Sequence, residues 1–189
     1  TKTLSPSDLG GAKILAGDHA ELPEDDAKLR GTTIHLLLEH LPNIPVADRP
    51  HAAQTLIKSM DAGTIVDDVP AHVDRILTAP HLSHLWTADA LAEVDITATI
   101  GPHRFHGTID RLLVTDTRIL AIDYKSNKIV PSDPAKTPEG LLRQMGAYHA
   151  GLTVVFPDHE IEVAILWTET ANLMPLENDL VSAALNRVT

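Results

Sequence analysis

The sequence predicts an α/β domain built on a mixed β-sheet. Three observations carry this. Helical periodicity fills the first half of the chain. Three strand-like runs then follow one another between residues 91 and 125. Beyond them, helix, strand and helix alternate to the end, an order that suits one sheet covered by helices.

Residues 1–22 are punctuated by Ser, Gly and Pro and read as an extended entry segment, the tail of a linker or an interface that packs on the domain spanning 23–189. A helix is expected to start at Pro23 or Glu24. Glu24, Asp25 and Asp26 then occupy its first turn, where the helix dipole favours acids. Ile34, Leu37, Leu38 and Leu41 recur at helical spacing, and Pro42 ends the run. Residues 48–86 read as a helical insertion with breaks at Gly63, Pro70 and Pro80. One stripe is Ala52, Leu56, Ile57 and Met60; another is Val73, Ile76 and Leu77. Leu82, Leu85 and Trp86 are placed over this bundle, and His81 and His84 are read as surface or capping residues.

Residues 91–100 alternate Glu93, Asp95 and Thr97 with Val94, Ile96 and Ala98, the period of a strand. Gly101-Pro102 turns the chain, and residues 104–115 return as the second strand of an antiparallel meander. Residues 118–125 form the third. The polar segment 126–138 contains three prolines and is long enough for a functional loop. Pro138-Glu139 opens a helix that turns Leu141, Met145, Tyr148 and Leu152 to the core. Residues 160–168 are a further strand, 171–175 a short edge strand, and 176–187 a closing helix with Leu180, Val181, Ala184 and Leu185 inward.

The chemistry concentrates in residues 107–127. With Asp116-Thr117 as a two-residue turn, Thr115 pairs with Arg118, and Asp110 falls opposite Asp123. Directly opposed residues share a face, and like charges there destabilise a sheet. A hard divalent cation with oxygen ligands would compensate. Lys125, two residues beyond Asp123, lies on the same face. Two carboxylates and a lysine around a metal can polarise a phosphate and activate a bound water. The alternative is a surface hairpin with solvated charges.

Composition narrows the function. The 189 residues contain no cysteine, which excludes disulfides, a thiol nucleophile and cysteine-held zinc or iron–sulfur clusters. That suits a cytoplasmic protein, as does the lack of a secretory signal or an apolar run long enough for a membrane span. The chain opens on Thr1 rather than Met, as expected of a piece of a larger protein. Its net charge of −11 argues against a stand-alone nucleic-acid binder, since phosphate contacts need cationic surface. No G-x-x-x-x-G-K loop is present, so no ATPase site of that kind is expected.

Taken together, Gly31-Thr32-Thr33-Ile34-His35, Glu93, Gly107-Thr108-Ile109-Asp110-Arg111, Asp123-Tyr124-Lys125 and Arg143-Gln144-Met145-Gly146-Ala147-Tyr148 resemble the RecB-type branch of the PD-(D/E)XK nucleases. The likeness covers roughly residues 25–170. The opening Leu4-Ser5-Pro6-Ser7-Asp8-Leu9-Gly10-Gly11-Ala12-Lys13 and the later Ala164-Ile165-Leu166-Trp167-Thr168 are similar to the AddA-type nuclease domains of bacterial helicase–nucleases. Ile109 stands where the family name has proline.

The resemblance implies a restriction-endonuclease-like core with a helical insertion. It also implies a Mg²⁺-dependent deoxyribonuclease, an exonuclease acting on DNA during double-strand break repair, with Mn²⁺ able to substitute. His35, Asp110, Asp123 and the backbone carbonyl of Tyr124 would ligate the metal. Lys125 would orient water or stabilise developing charge. Gln144 and Tyr148 would hold the site and contact DNA, and Glu93 would be a supporting acid. Helicase domains of the same polypeptide and an AddB-like partner subunit would deliver a single strand, which accounts for the acidic balance. Two competing readings are a catalytically silent module of this fold, acting in subunit or DNA binding, and a different metal hydrolase on a mixed sheet, acting on a small phosphate ester.

Overall fold

A computed structural model of the chain describes residues 3–15, 23–60, 66–100 and 102–188, with Ile100 described by its backbone alone. Its strands are β1 (Thr3–Leu4), β2 (Leu91–Ile100), β3 (His103–Val114), β4 (Arg118–Lys125), β5 (Glu160–Trp167) and β6 (Asn172–Leu176). Its α-helices are α1 (Glu24–His40), α2 (Arg49–Ser59), α3 (Val69–Leu77), α4 (Glu139–Val155) and α5 (Asn178–Asn186). The fold is the α/β architecture that the sequence predicts, one mixed sheet flanked by helices.

The six strands form one sheet, in which β2–β3–β4 is the expected antiparallel meander. β4 pairs in parallel with β5, and β6 closes the far edge antiparallel. A parallel pair needs a crossover, and α4 supplies it. The β3–β4 register is the predicted one: Leu112 faces Ala121, and Val114 faces Ile119. The Asp116-Thr117 turn is fixed by the Thr115 amide donating to the Arg118 carbonyl at 2.9 Å. The Arg118 amide donates back to Thr115 Oγ1 at 2.9 Å.

Both faces of the sheet are covered, so β4 and β5 are apolar on both sides. On one face, Ile34, Leu37 and Leu38 of α1 and Val73 and Ile76 of α3 pack with Ile122, Tyr124 and Leu166. On the other, Leu141, Met145 and Tyr148 of α4 and Val181 of α5 pack with Ile119, Ala121 and Ile165. Leu82 and Leu85 are fully buried in the helical layer, in a 3₁₀ turn over Pro80–Trp86. His81 caps it through Nε2 on the Ala171 carbonyl, 2.8 Å away.

One expectation is corrected. Pro70 does not break a helix but sits in the first turn of α3, where no intrahelical N–H is needed. The break expected at Gly63 lies outside the described residues. The described part of the entry segment packs on the domain. Thr3 and Leu4 pair in parallel with Arg104 and Phe105 of β3, on the edge that β4 uses further along. From there the segment runs along α4. Arg143 Nη1 donates to the Leu9 carbonyl at 3.1 Å, and the Gly140 amide donates to the Ala12 carbonyl at 2.7 Å. Asn127 Nδ2 then donates to the Lys13 carbonyl at 3.2 Å.

Candidate active site

The site forms where β3 and β4 part. Their ladder runs from Val114–Ile119 back to Arg111–Ile122 and stops there. β1 takes up the same edge of β3 only at Arg104 and Phe105. The backbone groups freed in between need other partners, and side chains supply them. Asp110 Oδ2 accepts the Tyr124 amide at 2.6 Å. The Tyr148 hydroxyl, arriving from α4, donates to the Thr108 carbonyl at 2.6 Å.

Asp110 and Asp123 are both buried, at 8 % and 3 % exposure, which is costly for carboxylates without partners. Each has one. Asp110 Oδ1 lies 3.1 Å from His35 Nδ1 on α1. Asp123 Oδ1 accepts from Gln144 Nε2 at 2.7 Å, and Asp123 Oδ2 pairs with the Lys125 ammonium. Gln144 also donates to the Tyr148 hydroxyl at 3.2 Å, so Thr108, Tyr148, Gln144, Asp123 and Lys125 form one continuous chain. Six of the predicted residues thus come together: His35, Asp110, Asp123, Lys125, Gln144 and Tyr148. Tyr124 joins through its amide, while its ring turns to the helical face, edge-on to His35 at 5.4 Å.

Glu93 is more deeply involved than its sequence signal suggested. It lies on β2 between Ala92, opposite Arg111, and Val94, opposite Ile109, and so comes level with Asp110. Ligand atoms of His35, Glu93 and Asp110 all lie within 4.8 Å of one another. Glu93 also has φ of +50°, a left-handed conformation that strains a non-glycine residue inside a strand. The clue lay in the register, because pairing Ile100 with His103 brings Glu93 level with Asp110.

An imidazole and two carboxylates suit a hard divalent cation such as Mg²⁺ or Mn²⁺. Asp123 lies outside that trio, its oxygens engaged by Gln144 and Lys125. An open depression of about 360 Å³ adjoins the trio, lined by Gly31, Thr32, His35, Leu36, Glu39 and Glu93. At Gly31 the space is tight, since a Cβ would come 3.1 Å from Ser126 Oγ and the serine would have to shift by a few tenths of an ångström.

The electrostatics are those of crowded anions. Burial raises the Glu93 carboxyl above the usual range, and the charges of Asp110 and Glu39 add to this. Burial likewise pushes Asp123 up and Asp110 reinforces it, against the pull of Lys125. For His35, burial favours the neutral ring, but the Asp110 hydrogen bond and the charges of Asp110 and Asp123 outweigh it and raise its pKa. A divalent cation would relieve all three.

A search of curated proteins returns no match. Among solved structures, that of a candidate exonuclease from Eubacterium rectale superposes with a TM-score of 0.58 at 11 % identity, covering 89 % of this chain and 65 % of that one. The structure of SSO0001 covers 88 % of this chain and 85 % of its own at 13 % identity, with a TM-score of 0.36. The first likeness concerns the fold; the second is too weak to add to it. The profile of the PD-(D/E)XK nuclease superfamily matches residues 13–169, which include His35, Asp110, Asp123, Lys125 and the Gln144–Tyr148 pair. The chain belongs to the PD-(D/E)XK nuclease superfamily.

Proposed function

We propose that this chain is a metal-dependent deoxyribonuclease domain that hydrolyses phosphodiesters, acting as an exonuclease on a single strand. The observation that carries this is the convergence of His35, Glu93 and Asp110 beside the Asp123–Lys125 pair. His35, Asp110 and Glu93 would hold Mg²⁺ or Mn²⁺, with Asp123 and the Tyr124 carbonyl as further ligands. When bound, the ion would supply Lewis acidity toward a phosphate oxygen and a lowered pKa for a coordinated water.

The chain's own residues do the rest. His35 would have to be neutral to offer a ring lone pair to the ion, and Asp110, 3.1 Å from Nδ1, holds the imidazole in place beside it. Lys125, paired with Asp123, would stand against the negative charge that builds on the phosphate. Gln144 fixes the Asp123 carboxylate, and Tyr148 fixes Gln144, so the ammonium is held rather than free to swing. The depression along α1 gives the strand an open approach.

The wider setting follows from the resemblance to AddA-type domains. In this reading the domain is attached to helicase domains and works with an AddB-like subunit in bacterial double-strand break repair, in the cytoplasm. The net charge of −11 supports delivery of the strand by such partners. The test is cleavage of end-labelled single-stranded DNA in Mg²⁺ or Mn²⁺, beside Lys125→Ala. Cutting that disappears in the variant is expected. Cutting that survives would place the chemistry elsewhere.

A further inference from the structure

We propose that the protein holds a small monovalent anion, of the size and charge of chloride, in its core at Arg111, beneath the candidate active site. Arg111 follows Asp110 on β3 but packs into the helical layer. It is 1 % exposed, and its guanidinium carbon lies 4.9 Å from the centre of the Trp86 ring. Tyr124, also 1 % exposed, lies against the same indole, with ring centres 6.4 Å apart.

Arginine stays protonated inside proteins, so this is a buried positive charge. No carboxylate among the described residues is bonded to it. Arg111 Nε and Nη2, Trp86 Nε1 and the Tyr124 hydroxyl are all buried without a hydrogen-bond partner. Stacking on Trp86 offsets part of the cost, but it satisfies no N–H.

A count of donors points to the missing group. Nε carries one hydrogen, Nη2 two, the indole one and the phenol one, so these three stacked side chains bring five buried donors against a single acceptor, the Tyr124 oxygen. Rotating these side chains onto one another cannot close the gap. Neither does water close it well, because each water brings two further donors that need acceptors. A halide accepts several hydrogen bonds, donates none and neutralises the guanidinium. The near-complete burial of Arg111 and Tyr124 excludes a carboxylate or phosphate carried by a macromolecule. Tyr124 is also the residue whose amide holds Asp110, so an occupied site would stiffen the floor of the catalytic face. None of this depends on the nuclease reading.

The test follows thermal unfolding at fixed ionic strength while potassium gluconate is replaced by potassium chloride or bromide. Above saturation, the melting temperature is expected to rise by about 3–5 °C per tenfold halide. Arg111→Met keeps the aliphatic stem on Trp86 and should abolish that dependence. Should this variant not fold, wild-type crystals grown in bromide give a second readout. An anomalous peak within hydrogen-bond distance of Arg111 Nε or Nη2 is expected there. Equal melting in gluconate and halide would overturn the proposal, and so would an ordered water at that position.

Discussion

The carboxylate of Asp110 accepts the backbone amide of Tyr124 at 2.6 Å, where the next rung of the β3–β4 ladder would otherwise lie. This contact both ends the ladder and aims the side chain. One oxygen of Asp110 is spent on the backbone, and the other faces His35. The strands can therefore part to form a site without leaving a buried amide unpaired.

Asp110→Asn should separate these two roles. The asparagine oxygen can still accept the Tyr124 amide, but the charge that holds a cation is gone. We expect Mn²⁺ affinity, measured by titration calorimetry, to fall at least about tenfold, the range seen when metal-site partners are lost. Metal-free unfolding at pH 8 should be no easier than in the wild type, because the carboxylate crowding with Glu93 is relieved. A large loss of stability at pH 8 would make Asp110 structural first.

The His35–Asp110 pair carries a pH dependence whose sign is fixed. The folded-state pKa of His35 is raised above its ordinary value of 6.5. In the metal-free protein its contribution to stability is therefore full below pH 6.5 and disappears as pH rises through the folded value. Metal binding needs the neutral ring, so cation affinity should rise over the same window. Melting of wild type minus His35→Gln in chelator, and Mn²⁺ titrations from pH 6 to 9, check both halves. Metal affinity that is flat with pH would remove His35 from the ligands.

Gln144 is a 5 % exposed amide whose Nε2 serves the Asp123 carboxylate. Gln144→Ala removes a hydrogen bond to a buried charge, a loss of about 1.5–3 kcal/mol. Urea unfolding measures it. Adding Asp123→Asn should return much of the loss, since the group left unpaired is then neutral. If the two losses simply add, the pair is not coupled.

How much of this was legible in sequence follows contact by contact. The hairpin register was, because a two-residue turn leaves one pairing; the ladder keeps it as far as Arg111–Ile122 and stops one pair short of Asp110 and Asp123, which the sequence had placed opposite each other. Lys125 followed from the two-residue period of a strand. His35 did not follow, for it meets Asp110 across 75 residues of chain and needed the family resemblance. Neither did β1, whose two residues have no periodicity to read, nor the burial of Arg111, which sequence places on a strand but not under an indole.

The entry segment should depend on Gly140. A Cβ at that position would come 2.8 Å from both the Gly11 and Ala12 carbonyl oxygens, which belong to backbone and cannot swing aside. Gly140→Ala is therefore expected to cost about 1–3 kcal/mol. Amide exchange in residues 3–15 should speed up while the β4–β5 amides stay protected. Exchange that speeds up uniformly would mean that the segment unfolds with the whole domain.

Glu93 gives the sharpest opposition between stability and function. Its φ of +50° costs about 1 kcal/mol or more, and its carboxylate crowds Asp110 and Glu39. Asparagine tolerates the left-handed region and carries no charge. We expect Glu93→Asn to raise the metal-free melting temperature by about 2–4 °C. In saturating Mn²⁺ the order should reverse, since the wild type gains the binding energy of a ligand that the variant lacks. The crossing of the two melting curves with metal is the diagnostic. A variant more stable with and without Mn²⁺ would mean that the strain at Glu93 serves something other than the cation. A variant less stable in both would mean that the strand geometry itself requires the glutamate.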